Sequence, residues 1–266
     1  MKKLMMTLAA GLFATAVVAQ VTSANVVGYK TITLTNGYNM IACNFDAVGT
    51  ETNTLDKVIP GSTTGLTGGN SPGTADNIMV FDPMTQGYAT YFLWYTTKTT
   101  LQANNWKWVV NAGTLAPVQL KSGDPFWYRS RSATPVQIPG TFAGQVPTVA
   151  KDIAITNGYT MIAGNYSADW DPNTKGTNFW ATTGAMGGNS PGTADNVMVF
   201  DPGAQGYTTY FLWYTTKTTL QANNWKWVVN AGTVAPTNFV KLGMGAWYRA
   251  RNAGRFVIPV AAPYSL

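Results

Sequence analysis

Downstream of Gly28, hydrophobic and polar residues alternate in short runs separated by Gly, Pro, Asn and Asp. Thr31-Ile32-Thr33-Leu34 and Tyr38-Asn39-Met40-Ile41 flank Thr35-Asn36-Gly37. This pattern predicts a tight hairpin, because Asn-Gly supplies the positive φ such turns need. The apolar run Ile78-Met79-Val80-Phe81 ends in Asp82-Pro83, a turn opener. Tyr88 to Thr97 is aromatic and β-branched and reads as a strand. Trp106 to Val110 and Phe126 to Arg131 add two more, and Pro135 to Ile138 a short closing one. Thr54 to Ile59 and Asn178 to Thr183 leave room for short helices within loops. Short strands at such spacing predict an all-β chain of sandwich or small-barrel type.

The pattern occurs twice. Residues 68–117 and 187–236 align without a gap and agree at 45 of 50 positions, the exceptions being Ile78/Val197, Met84/Gly203, Thr85/Ala204, Ala89/Thr208 and Leu115/Val234. The match extends outward from Thr35-Asn36-Gly37-Tyr38 and Thr156-Asn157-Gly158-Tyr159 to Ile138-Pro139 and Ile258-Pro259. Internal repetition on this scale sets the architecture. We expect two tandem β-modules, 25–140 and 151–266, joined by a linker over 141–150, with the unmatched segments 46–67 and 167–186 as loops.

Gly37-Tyr38-Asn39-Met40-Ile41, Val80-Phe81-Asp82-Pro83 leading to Gly87-Tyr88, a Trp-bearing strand and Gly123-x-x-x-Trp127-Tyr128 together look like the GWNLI…GxGFW β-modules of exported bacterial surface proteins. Asn25-Val26-Val27-Gly28-Tyr29 is similar to the mature N-terminus of an uncharacterised family of that type. The resemblance spans nearly the whole chain beyond the leader, once per half. It implies an exported β-module architecture and no particular activity. The second half departs from the closing motif at Gly243-Met244-Gly245-Ala246.

The leader itself reads as a signal peptide over residues 1–24. Lys2 and Lys3 precede an apolar stretch from Leu4 to Val18, and small residues allow cleavage after Ala19 or Ala24. Ala24 is preferred, since Asn25 then opens the first strand. No later segment is long and apolar enough to span a membrane. The expected location is therefore outside the cytoplasm, secreted or at the cell surface, with the periplasm also open.

Composition narrows the chemistry. The chain has no histidine, one cysteine and only 11% charged residues. Without histidine there is no Ser-His-Asp or Cys-His triad, no imidazole base and no His-ligated zinc. Cys43, in an apolar run, reads as a small buried hydrophobe. Losing Lys2 and Lys3 takes the formal charge from +6 to +4. With no Lys/Arg run, this predicts no nucleic-acid partner. The matched acids Asp76/Asp195 and Asp82/Asp201 are too far apart along a strand for a glycosidase pair. Asp169-Trp170-Asp171-Pro172-Asn173 lacks the Gly and Glu of a calcium loop. No cofactor is expected, and the chain reads as a non-enzyme.

Aromatics carry what remains. Trp106, Trp108 and Trp127 recur as Trp225, Trp227 and Trp247. Alternation predicts that Trp106 and Trp108 share a face, and that both faces of the 91–95 strand are aromatic. Such rings fill a core or, where exposed, stack on sugars. Trp127, Arg129 and Arg131 stand at i, i+2, i+4, as do Trp247, Arg249 and Arg251. On a strand this spacing gives a one-sided aromatic and guanidinium stripe suited to carboxylate or sulfate. The expectation is a secreted structural or surface-associated protein whose partner is itself, by assembly through β edges. The alternative is a binder of extracellular, acidic polysaccharide.

Overall fold

A computed structural model describes residues 27–48, 52–111, 113–138, 144–175, 177–230 and 233–264. The leader and both cleavage points lie outside these residues. The chain is all-β, built from two six-stranded antiparallel sheets with short helices only.

In the first sheet the spatial order is Gly37–Ala42, Pro125–Ser130, Asn77–Asp82, Gly87–Leu93, Trp108–Asn111, Thr114–Leu115. The second repeats it as Lys151–Ala163, Gly245–Val260, Asn196–Asp201, Gly206–Leu212, Trp227–Asn230, Thr233–Val234. One face of each sheet covers its own module's core. Ile41, Ile78, Tyr91, Leu93, Trp108, Phe126 and Tyr128 pack there against Leu34, Leu55, Val58, Ile59 and Ile138. Ile162, Val197, Tyr210, Leu212, Trp227 and Tyr248 do so in the second module, with Ile155, Trp180, Val240 and Ile258. The unmatched segments supply part of this cover: short helices at Leu55–Val58 and Thr177–Thr182, close to where the sequence leaves room for them.

The predicted hairpin at Asn36-Gly37 is not formed. Ile32–Leu34 pairs with Val136–Ile138 in a separate two-stranded sheet, while Gly37–Ala42 pairs with Pro125–Ser130. Asn-Gly is a bend at which one long strand changes sheets. In the second module the same strand stays continuous, and the register against Gly245–Val260 slips between Thr156 and Gly158. Gly37 and Gly158 sit at φ +87° and +89°, so the positive φ is used, but for a bulge rather than a reversal. The 141–150 stretch also takes part in the first module: Gly144–Gln145 pairs with Val27–Gly28, and Val146 enters the first core.

Each sheet's second face is buried in part by the other module, and in part by its own, where Phe92, Trp94 and Val109 pack with Ala75 and Phe211, Trp213 and Val228 with Ala194. Met40, Trp127, Met161, Phe200 and Trp247 form one buried cluster, with Met79, Phe81 and Met198 packed against it. The contacts are reciprocal. Trp127 meets Phe200 edge-on at 4.8 Å, and Trp247 meets Phe81 at 4.7 Å. Gln205 donates to Tyr38 O at 2.9 Å and accepts from Tyr38 N at 2.9 Å; Gln86 does the same to Tyr159 at 2.9 and 3.2 Å. Each glutamine thus imitates a strand partner along the other module's edge strand. The modules are related as in an isologous dimer, fused into one chain.

Large buried aromatics dominate such a seam, whereas exposed neutral hydrogen bonds contribute about 0.5–1.5 kcal/mol each. Trp247→Ala is therefore expected to cost about 3–5 kcal/mol in urea-unfolding free energy. Gln86→Ala should cost less, about 1–3, because its three side-chain bonds, to Pro83 and twice to Tyr159, are exposed. Equal costs would mean that the caps, not the rings, hold the halves together.

Candidate functional site

The ten sequence-predicted binding residues are divided among four environments. Trp108 and Trp227 are fully enclosed in the two module cores, so their rings offer no surface to a ligand. Trp106 does not share their face. Its backbone turns through φ +62° (Trp225, +61°), which breaks the alternation between it and Trp108. Trp106 instead stacks beside Tyr95 at 4.9 Å, over Gly68, with 41% of its surface exposed. Tyr214 and Trp225 repeat the pair at 5.0 Å.

Arg131 and Arg251 are committed to the fold. Arg131 lies one residue beyond its strand, and its guanidinium donates to Ala75 O and Pro72 O at 3.2 and 3.0 Å; Arg251 grips Ala194 O and Pro191 O likewise. The stripe expected at i, i+2, i+4 therefore ends at its second member.

Trp127, Arg129, Trp247 and Arg249 come together at the seam. Trp127 and Trp247 are each 7% exposed. Around them lies a rim of half-open tyrosines: Tyr38, Tyr88, Tyr159 and Tyr207. Arg129 lies over the Tyr38 ring at 5.4 Å, and Arg249 over Tyr159 at 5.4 Å. Tyr38 and Tyr159 meet Trp127 and Trp247 edge-on at 5.9 Å. Towards the middle, Trp127 faces Tyr207 and Trp247 faces Tyr88, both at 6.4 Å. The Trp247 indole N–H also donates to Tyr207 Oη at 3.2 Å. A cleft of about 480 Å³ opens here, lined by Tyr38, Met79, Tyr88, Trp127, Phe200, Gln205 and Tyr207.

Electrostatically the rim is positive and uncommitted. Among the described residues the Arg129 and Arg249 guanidinium groups have no hydrogen bond or ion pair, only their tyrosine rings. Directly across the ladder from them stand Asn77 and Asn196, whose buried Oδ1 atoms lack a partner while their Nδ2 atoms donate to Pro72 O and Pro191 O. Asp124, five residues before Arg129, accepts from Lys121 N, and the turn acids Asp82 and Asp201 accept from their own turns, at Met84 N and Gly203 N. The tyrosines and glutamines escape a reading centred on tryptophan and arginine. The visible signal is that Tyr88 shares a strand face with Phe92, and Tyr38 stands on the face of Met40.

The matched acids Asp76 and Asp195 are structural. Each is fully buried and accepts three bonds: Asp76 from Tyr128 O–H, Arg131 N–H and Thr67 N–H at 2.7, 2.6 and 3.0 Å, Asp195 from Tyr248, Arg251 and Met186 at 2.8, 2.6 and 3.0 Å. Burial outweighs these bonds and raises both carboxyl pKa values. Cys43 is buried as expected, its thiol pushed up to about 12 by desolvation.

The fold and rim define a two-module, pseudo-symmetric β protein with an aromatic and arginine seam. Comparison with family models, curated proteins and solved structures finds no significant match.

Asp56 and Asp124 are raised by burial as well. A folded carboxyl with a raised pKa holds its proton where the unfolded one has lost it, so these groups add stability below the ordinary carboxylate range that fades as pH rises through their folded values. Urea-unfolding free energy should therefore fall as pH rises from the ordinary carboxylate range through the folded values of these groups. A monotonic fall on acidification would contradict this sign.

Proposed function

We infer that this chain is an exported, non-enzymatic, surface-associated protein that holds polysaccharide. The observation that supports the reading is the seam rim, where half-exposed tyrosines carry guanidinium groups that, among the described residues, have no hydrogen bond or ion pair. Aromatic faces accept the C–H faces of sugar rings, and arginine forks accept carboxylate or sulfate. The chemistry asked of the protein is to bind, which a chain without histidine can do. Export rests on the leader.

Self-assembly is the second reading, supported by the outer sheet edges. There Val110, Leu115, Val229 and Val234 are exposed beside the two-residue strands Thr114–Leu115 and Thr233–Val234. Edges this short are poor templates for pairing, whereas the inner edges are capped by Gln86 and Gln205. Geometry therefore favours holding over polymerising.

The purified chain lacking residues 1–24 separates the two. On insoluble acidic polysaccharide, such as a pectate gel, it should be retained as a dispersed monomer and released by salt. Replacing Arg129 and Arg249 by Ala should abolish retention. Ordered filaments or sheets in electron micrographs, with no retention on any glycan, would transfer the assignment to assembly.

A further inference from the structure

The repeated stripe invites the view that each module carries its own site. The contacts argue otherwise. The central rings of the seam rim are shared: the Tyr207 phenol accepts a hydrogen bond from the Trp247 indole while its ring faces Trp127 of the other module. Tyr88 is placed reciprocally, its ring 6.4 Å from that of Trp247 in the other module, and it lines the cleft together with Trp127. Tyr38, in turn, is fixed at its backbone by Gln205 from the opposite half. Neither module alone supplies both walls of the cleft.

Resting on the polysaccharide reading, we propose that the seam is one composite site, a strip from Arg129 over Tyr38 through the central Tyr88 and Tyr207 to Tyr159 and Arg249. It binds a single acidic glycan chain lengthwise, with one acid group on each terminal arginine. Three features select an acidic glycan. The strip's ends carry cations that, among the described residues, lack an ion pair, and the nearby acids Asp82, Asp124 and Asp201 accept from their own loops. Its middle is aromatic with phenol and amide edges, matching a sugar's apolar faces and hydroxyl rim. An apolar partner would leave the guanidinium groups desolvated and unpaired, which is costly. Nucleic acid binds through a denser run of phosphate contacts than two arginines provide.

The composite nature has a stoichiometric signature. Isothermal titration of the mature chain with a size-defined oligogalacturonate should give one glycan per chain, and affinity should fall with added salt. Arg129→Gln and Arg249→Gln should each weaken binding about tenfold or more, the usual worth of a charge-assisted bond, with the stoichiometry still one. The double variant should show no binding. Melting curves matching the parent protein confirm that these changes leave the fold intact.

Two glycans per chain, with each single variant losing one equivalent at unchanged affinity, would overturn the composite site while leaving polysaccharide binding standing. Equal affinity for neutral cello-oligosaccharide, or no effect of the arginine variants, would overturn the acidic strip. Absence of binding to uronate, sulfated and neutral oligosaccharides, together with no retention on gels, would remove both this site and the function it rests on.

Discussion

The structure depends on one constraint: each sheet is aromatic on both faces. A sheet with one apolar face is complete once its own loops and helices cover that face. Here Trp127, Met79 and Phe81 point away from the first core, as Trp247, Met198 and Phe200 point away from the second. At about 150–250 Å² per large aromatic and about 25 cal/mol/Å², leaving either Trp in water would forfeit ~4–6 kcal/mol as an upper bound. Neither module closes by itself. The duplicate supplies the missing layer, and the reciprocal edge-to-face pairs follow from two copies of one surface meeting about a twofold.

The same constraint accounts for where the copies differ. The second module's Gly243-Met244-Gly245-Ala246 replaces Gly123-Asp124-Pro125-Phe126. The first module's strand arrives at this point: Ala42 N donates to Gly243 O at 3.0 Å, and a Cβ at Gly245 would lie 2.9 Å from Met40 and Pro125. Two identical segments could not occupy one crossing, so one became small. The cover of the inner cores also diverged. Trp108 Nε1 donates to Ile59 O at 2.7 Å, whereas Trp227 Nε1 lacks an acceptor and has the Trp180 ring standing perpendicular at 5.1 Å. The second core exchanges a hydrogen bond for ring packing.

Much of this was legible from residues. Strand runs, the duplication and the short helices near 55 and 178 follow from local pattern, because β-branched and aromatic runs and turn residues act locally. The double aromatic face at 91–95 was legible too: Tyr91 and Leu93 join the module core, while Phe92 and Trp94 pack with Ala75 and Val109 of the same module. What pattern could not give is pairing. Asn36-Gly37 satisfies a hairpin turn and a strand bend equally well, and only the competition for Pro125–Ser130 decides between them. Alternation also failed at Trp106, where a positive φ intervenes at a residue whose side chain gives no warning of it. For the site, Trp127 and Arg129 were visible as a stripe. Arg131 was lost to loop carbonyls just past the strand end, a tertiary contact without a local sign.

The edges complete the physical picture. The inner edge strands present Tyr38 and Tyr159 backbone groups that another chain could pair with, and in each case a glutamine amide from the other module occupies them. Gln86 and Gln205 hold φ of +51° and +49° to make that reach, a conformation uncommon outside glycine. The outer strands end after two residues. Capping one edge of each sheet at Tyr38 or Tyr159 and shortening the other makes strand-by-strand growth less favourable. The surface left for association is then side chains rather than backbone. Among these the seam tyrosines and their arginines are distinctive, because the contact that binds the halves together also sets the spacing of their charges.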